Sequence, residues 1–166
     1  MLVVALVASC KNDGGSSNPA DDPSESDGLK ITVDGVSFKM IKVEGGTFQM
    51  GSENGEDNEK PVHSVTLSDY YIGETEVTQE LWKAVMGTTV RQQRDKADTS
   101  WSIYGEGDNY PMYYISWNEC QDFISKLNQK TGRRFALPTE AQWEYAARGG
   151  NKSRGYEYSG SNNIDD

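Results

Sequence analysis

"SWNECQDFISKLNQKTGRRFALPTEAQWEYAARGG", Ser116 to Gly150, decides how this chain folds. Ser116-Trp117-Asn118-Glu119 has the Ser-x-x-Glu form of a capping box, in which side chain and backbone satisfy each other's free amides at a helix start. Cys120, Phe123, Ile124 and Leu127 follow at the i, i+3, i+4, i+7 spacing of one buried helical face. Lys126 and Lys130 suit the C-terminal end of that helix, and Gly132 ends it. Thr139-Glu140-Ala141-Gln142 is a second capping box, with Pro138 fixing the entry. Trp143, Ala146 and Ala147 are expected to share the inner face of this shorter helix, and Gly149-Gly150 to stop it. Glu140, Glu144 and Arg148 fall at i, i+4, i+8; that spacing favours a Glu-to-Arg ladder over a carboxylate pair for acid–base work.

Towards the N-terminus the pattern changes to strands. Ile31-Thr32-Val33, Asp34-Gly35 and "VSFKMIKV" predict a β-hairpin, since Asp-Gly supplies the positive φ angles of a type I′ turn. "GGTFQMGS" and the alternating "VHSVTL" are extended segments on either side of the acidic loop "ENGEDNEK", and "DYYIGETEV" carries another. "VTQELWKAVMG" predicts a helix capped by Thr78, stapled by Val77 against Trp82 and ended by Gly87. Residues 88–110 read as a long polar loop anchored by Trp101 and Tyr104, and Trp117 and Trp143 as interior side chains. Strands and short helices without regular βαβ alternation argue for an α+β fold.

The 166 residues carry a net charge of −10, which disfavours nucleic acid as the main partner because phosphate binding needs a basic surface. One His and two Cys cannot furnish a four-ligand zinc site. "MLVVALVASC" looks like a bacterial lipoprotein signal: an apolar run, small residues, then Cys10 to carry the lipid, although no Lys or Arg precedes the run. Residues 1–10 are thus expected to be the signal and lipidation site, 11–29 a flexible Gly/Ser/Asp/Pro tether, and 30–166 a folded domain held outside the cytoplasm at the membrane or cell surface.

"VEGGTFQMGS", "EKPVHSVTLSDYYIGETEVTQELWKAVMG" and "YPMYYISWNECQDFISKLNQKTGRRFALPTEAQWEYAARGG" occur in an order that resembles the formylglycine-generating enzyme, or sulfatase-modifying factor, family. The similarity runs from about Val36 to Asp166. It implies a C-type-lectin-like α+β fold, of which this chain resembles the N-terminal portion, because the family pattern continues with segments that do not occur before Asp166. Active family members oxidise a sulfatase Cys to formylglycine with copper held by a Cys pair; no residue here matches that pair. The resemblance also implies a partial structural calcium site at Asn163 and Ile164, with further ligands downstream. The partner is then a sulfatase protein or peptide, or, if the fold serves as a non-catalytic module, another cell-surface molecule.

Among the remaining candidates, the helical phase of Cys120 makes it a small buried hydrophobe rather than a reactive thiol. His63, the one histidine, is expected on a strand surface or edge rather than in a site, for want of partners. "ENGEDNEK" lacks regular calcium-ligand spacing and is expected to be a solvated loop.

Overall fold

The contacts of this chain divide it into two compact units, and the hydrophobic core cluster of the described residues lies in the first. The computed structural model describes residues 5–9, 28–156 and 161. One compact unit comprises residues 1–41 and 71–137, the other residues 42–70 and 138–166.

The first unit is built on a five-stranded sheet. Its strands are β1 (Val7–Ser9), β2 (Leu29–Val33), β3 (Val36–Val43), β6 (Tyr70–Gly73) and β7 (Phe135–Ala136), in the order β2-β3-β6-β1-β7; β3 and β6 each run across the boundary between units. The β2–β3 hairpin pairs Leu29 with Met40 and Val33 with Val36. Asp34 and Gly35 both have positive φ, 48° and 84°, as a type I′ turn requires. Lys130 Nζ reaches Asp34 Oδ2 at 2.7 Å and ties the turn to a helix end. Two boundaries differ from expectation. Leu29, assigned to the tether, is the first residue of β2. Val7–Ser9, assigned to the leader, form a strand of this sheet.

Two helices pack on it. α1 (Gln79–Met86) has Thr78 as its N-cap, with the Leu81 N–H donating to Thr78 Oγ1 at 3.2 Å, and Gly87 in the left-handed region as its C-cap. Val77 and Trp82 are both buried in the same core, as a staple needs. α3 (Trp117–Thr131) carries the Ser116–Glu119 capping box, buries Cys120, Phe123, Ile124 and Leu127, and ends at Gly132. Trp82 stacks on Phe123 with centroids 5.2 Å apart and planes within 5°. Met40, Met112, Leu127, Val90 and Cys120 are fully buried as well. Each buried Met, Leu or Val side chain contributes about 1.5–3 kcal/mol over leaving it in water.

The long loop expected over residues 88–110 contains a further helix, α2 (Val90–Ala97). Its capping box, Thr89 with Gln92, is a legible Thr-x-x-Gln signal. The helix was hidden because it buries only Val90 and Gln93, so it shows almost no apolar periodicity.

The second unit pairs β4 (Gly46–Met50) with β5 (His63–Leu67) as an antiparallel hairpin, Gly46 opposite Leu67 and Met50 opposite His63. A 3-10 turn at Asp57–Glu59 lies in the acidic connection. α4 (Glu140–Ala147) starts with the Thr139–Gln142 capping box. Its buried residue is Tyr145, not Trp143, which is 52% exposed. These two positions lie about 200° apart around a helix, so only one can face inward. Tyr145 packs its ring 5.1 Å from that of Phe48. Tyr70 donates its hydroxyl to Gln142 O at 2.6 Å; burial, then the nearby Tyr145, push that hydroxyl up to about 12.

Candidate functional site

The segment from Asp98 to Trp117 gathers most of the exposed aromatic surface of the first unit. Tyr104 is 80% exposed, Trp117 61%, Tyr110 52% and Trp101 47%. Trp101 and Tyr104 are therefore not the interior anchors expected of them, and Trp117 is not an interior side chain. Trp117 stands in the first turn of α3, about 70° off the centre of the face that Cys120, Phe123, Ile124 and Leu127 bury.

Polar side chains hold this surface in shape. Gln79, at the first position of α1, is buried. Its Nε2 donates to Gly105 O at 3.0 Å and to Pro111 O at 3.1 Å, and its Oε1 accepts from the Gly107 N–H at 3.2 Å. Tyr113 is buried too, and its hydroxyl accepts from the Tyr104 and Gly105 N–H groups at 2.9 and 3.2 Å while donating to Gly105 O at 3.0 Å. Both side chains have their polar groups satisfied by loop backbone, which otherwise has no ladder partner. The Tyr113 ring lies 4.8 Å from that of Tyr114, and Tyr114 lies 5.3 Å from Trp101, a continuous aromatic row. Tyr114 takes φ +61° and donates its hydroxyl to Ser102 O at 2.6 Å. A non-glycine residue in that region is held there by its surroundings.

Charged pairs brace the rim. Arg91 forks onto Glu106, with Nε 2.8 Å from both carboxylate oxygens and the terminal nitrogen 2.5 Å from Oε2. Arg94 donates to Trp101 O at 2.7 Å. Asp98 accepts from the Ser100 hydroxyl and N–H, which hold its carboxyl below its usual range. Glu119 joins α2 to α3: it accepts from Lys96 Nζ at 2.5 Å, Gln93 Nε2 at 2.9 Å and the Ser116 N–H at 2.8 Å. Burial acts to raise its carboxyl, but Lys96, Ser116 and Gln93 outweigh it and hold the group at about 2.

The other sequence candidates fall elsewhere. Cys120 is buried on α3, and burial, then Glu119, push its thiol up to about 11. A thiol so held is not the thiolate a soft copper(I) ion needs, and Cys120 is the one cysteine among the described residues. His63 is exposed at the start of β5, its Nδ1 3.0 Å from Pro61 O. Among the described residues no group of three or more His, Cys, Asp or Glu is placed to hold a metal. Asn163 and Ile164 lie outside the described residues, as does Cys10. Glu144 and Arg148 do pair, at 2.6 Å. Together they clamp one residue: the Gly51 N–H donates to Glu144 Oε1 at 3.0 Å, and Arg148 donates to Gly51 O at 2.9 Å. This is scaffolding within the second unit rather than acid–base chemistry.

Residues 34–166 match the family model of the sulfatase-modifying factor enzyme 1-like domain. The chain belongs to this family. Curated proteins similar to it include the chaperone protein LppX of Paenibacillus barcinonensis, 34% identical over 79% of this chain and 52% of that protein. Another is the formylglycine-generating enzyme of Streptomyces coelicolor, 30% identical over 72% of this chain and 50% of that enzyme. The chain thus spans about half the length of the curated relatives it matches. Among solved structures, Treponema denticola variable protein 1 superposes with a TM-score of 0.62 at 27% identity, over 89% of this chain and 62% of the other. The α+β reading and the expected family are both as the sequence indicated, and the matched region opens two residues earlier than Val36, at the turn residue Asp34.

Proposed function

We propose that this chain belongs to an extracytoplasmic protein, anchored through Cys10, that uses its sulfatase-modifying-factor domain as a binding module for a protein or peptide. The observation that carries this is the aromatic surface of Trp101, Tyr104, Tyr110 and Trp117, exposed yet fixed by Gln79 and Tyr113. Tyr and Trp give large contact area at small entropic cost, and a preformed loop loses less entropy on binding. The similarity to a protein named as a chaperone supports a binding role.

The second reading is a formylglycine-generating oxidase acting on a sulfatase cysteine, favoured by the similarity to the Streptomyces enzyme. Copper would supply the oxygen chemistry, and calcium near Asn163 and Ile164 would be structural. In that reading the aromatic surface receives the sulfatase segment.

One experiment separates the two. The full-length protein is titrated with a peptide spanning the modified cysteine of a sulfatase, following tryptophan fluorescence, and the peptide is then checked by mass spectrometry. Saturable binding that Trp101→Ala with Trp117→Ala abolishes, and a peptide recovered unchanged, support the module. Conversion of its cysteine to formylglycine supports the oxidase. No binding and no conversion sink the peptide assignment of both. Anchoring is tested separately: Cys10→Ser should move the protein from the membrane fraction to the soluble one, and unchanged partition would refute the lipid anchor.

A further inference from the structure

Asn54 is the one asparagine of the chain that is followed by glycine, Gly55. The pair lies in the connection between β4 and β5, outside any helix or strand, and Asn54 is exposed. The connection is pinned on both sides of the pair. Glu144 and Arg148 hold the Gly51 backbone, the Ser52 N–H donates to Glu59 O at 3.2 Å, and the Val62 N–H donates to Glu53 Oε1 at 3.0 Å. At the pair itself this order stops. The Asn54 N–H donates to Ser52 Oγ at 3.2 Å, but among the described residues neither the Asn54 carboxamide nor the Gly55 N–H has a hydrogen-bond partner. A carboxamide held by nothing turns among its rotamers, and a glycine has no Cβ to shield its nitrogen.

We propose that Asn54 is a self-modification site, at which the folded protein deamidates. The Gly55 backbone nitrogen, losing its proton to solvent base, attacks Asn54 Cγ. The new C–N bond closes a succinimide ring and ammonia leaves. Water then opens one of the two imide carbonyls. The product is either Asp on the original backbone or isoaspartate, in which the chain runs through the former side chain. Water is the only co-reactant. Asp34-Gly35 makes the contrast. Asp34 sits at φ +48° in a paired hairpin, and Lys130 Nζ holds its carboxylate at 2.7 Å. An ionised carboxylate so held is a poor acyl acceptor, so that turn stays unmodified. The charge made at residue 54 arises beside another. Glu59 Oε2 lies against Gly55, where a Cβ on that residue would stand 1.8 Å away. Residues 53–60 hold four acidic residues and one lysine, net −3, and deamidation takes them to −4. Like charges this close part the loop tip. The pins at Gly51, Ser52 and Glu53 precede the altered bond, so the β4–β5 register is kept.

The test incubates the full-length protein at pH 6 and pH 8 beside a free peptide of residues 50–60. Samples are followed by ion-exchange chromatography and peptide mass mapping. One more acidic species should grow in with first-order kinetics, faster at pH 8, and its mass change should map to Asn54 as a mixture of Asp and isoaspartate. The rate in the folded protein should stay within about tenfold of the peptide's, because a loop tip without hydrogen bonds opens at almost no cost. Asn54→Gln should lose the acidic species, since the longer side chain closes its ring far less readily. Asn54→Asp should show faster amide exchange at the loop tip with the protection of β4 and β5 kept. No acidic species, a folded rate below that range, modification mapped to another asparagine, or loss of β4–β5 protection in Asn54→Asp would each overturn the proposal. None of these outcomes bears on peptide binding or on the Cys10→Ser result, so the ideas fail separately.

Discussion

Replacing Glu119 with Ala should loosen the start of α3 more than any exposed carboxylate substitution elsewhere in the first unit. The carboxylate has three tasks: it accepts the Ser116 N–H in the capping box, satisfies the buried amide of Gln93, and pairs with Lys96. Losing the box costs about 1 kcal/mol. Leaving the Gln93 amide unpaired costs about 1–2 kcal/mol. The Lys96 pair adds only a few tenths, at most about 1 kcal/mol, because the lysine side chain is 67% exposed. The sum is about 3 kcal/mol. Glu119→Gln keeps one acceptor oxygen, for the box, but turns an NH2 group towards the Gln93 amide and loses the charge, so it should cost about 1–2 kcal/mol. The pH dependence has a fixed sign. The folded carboxyl titrates at about 2, below its ordinary 4.5, so its charge-dependent stabilisation is complete above about 4.5 and disappears as the pH falls towards 2. Native-state amide exchange across Cys120–Leu127 reads this local stability directly. The Ala and wild-type protection should differ by about 3 kcal/mol at pH 7, and the Gln and wild-type difference should shrink at pH 3. An Ala cost under about 1 kcal/mol, or a Gln cost that does not change with pH, would refute the reasoning.

Gly45→Ala would bring a Cβ to 2.2 Å from Leu67 O, a backbone atom that cannot swing away. The β4–β5 hairpin should therefore lose exchange protection, by about 2 kcal/mol or more; a neutral result would show that the strands can separate there freely. Glu144→Ala leaves Arg148 with the Gly51 carbonyl but without its carboxylate, and the Gly51 N–H without its acceptor, and should lower the thermal midpoint of the second unit at a cost of about 1–3 kcal/mol, whereas Glu140→Ala should do much less. Cys120 should resist a thiol reagent at pH 8 in the folded protein and react fully in denaturant, since its thiol is buried and titrates at about 11; rapid labelling of the native state would refute its placement. Gln79→Leu should leave the Pro111 carbonyl and the Gly107 N–H without a side-chain partner and the Gly105 carbonyl with Tyr113 alone, and loop amide exchange should report a looser aromatic surface.

The capping boxes at Ser116 and Thr139, the Asp34-Gly35 turn and the Cys120–Leu127 stripe were legible because each is a local device: its physics is complete within a few residues. The same holds for the order of segments that marks the family. What fails at this range is the side of a helix that tertiary packing selects. Trp143 and Tyr145 are both large and apolar, and nothing nearby says which should face in; Phe48 and Tyr70, far away in sequence, decide for Tyr145. α2 was missed for the complementary reason, that it contributes only Val90 and Gln93 to an interior assembled by other elements. The aromatic surface depends likewise on Gln79 and Tyr113 reaching loop backbone many residues away. Even the N-terminal "ALVAS" reads as part of a leader by composition alone. Its place as a central strand exists only because β6 and β7, brought together from distant parts of the chain, leave backbone groups facing each other across a gap one strand wide.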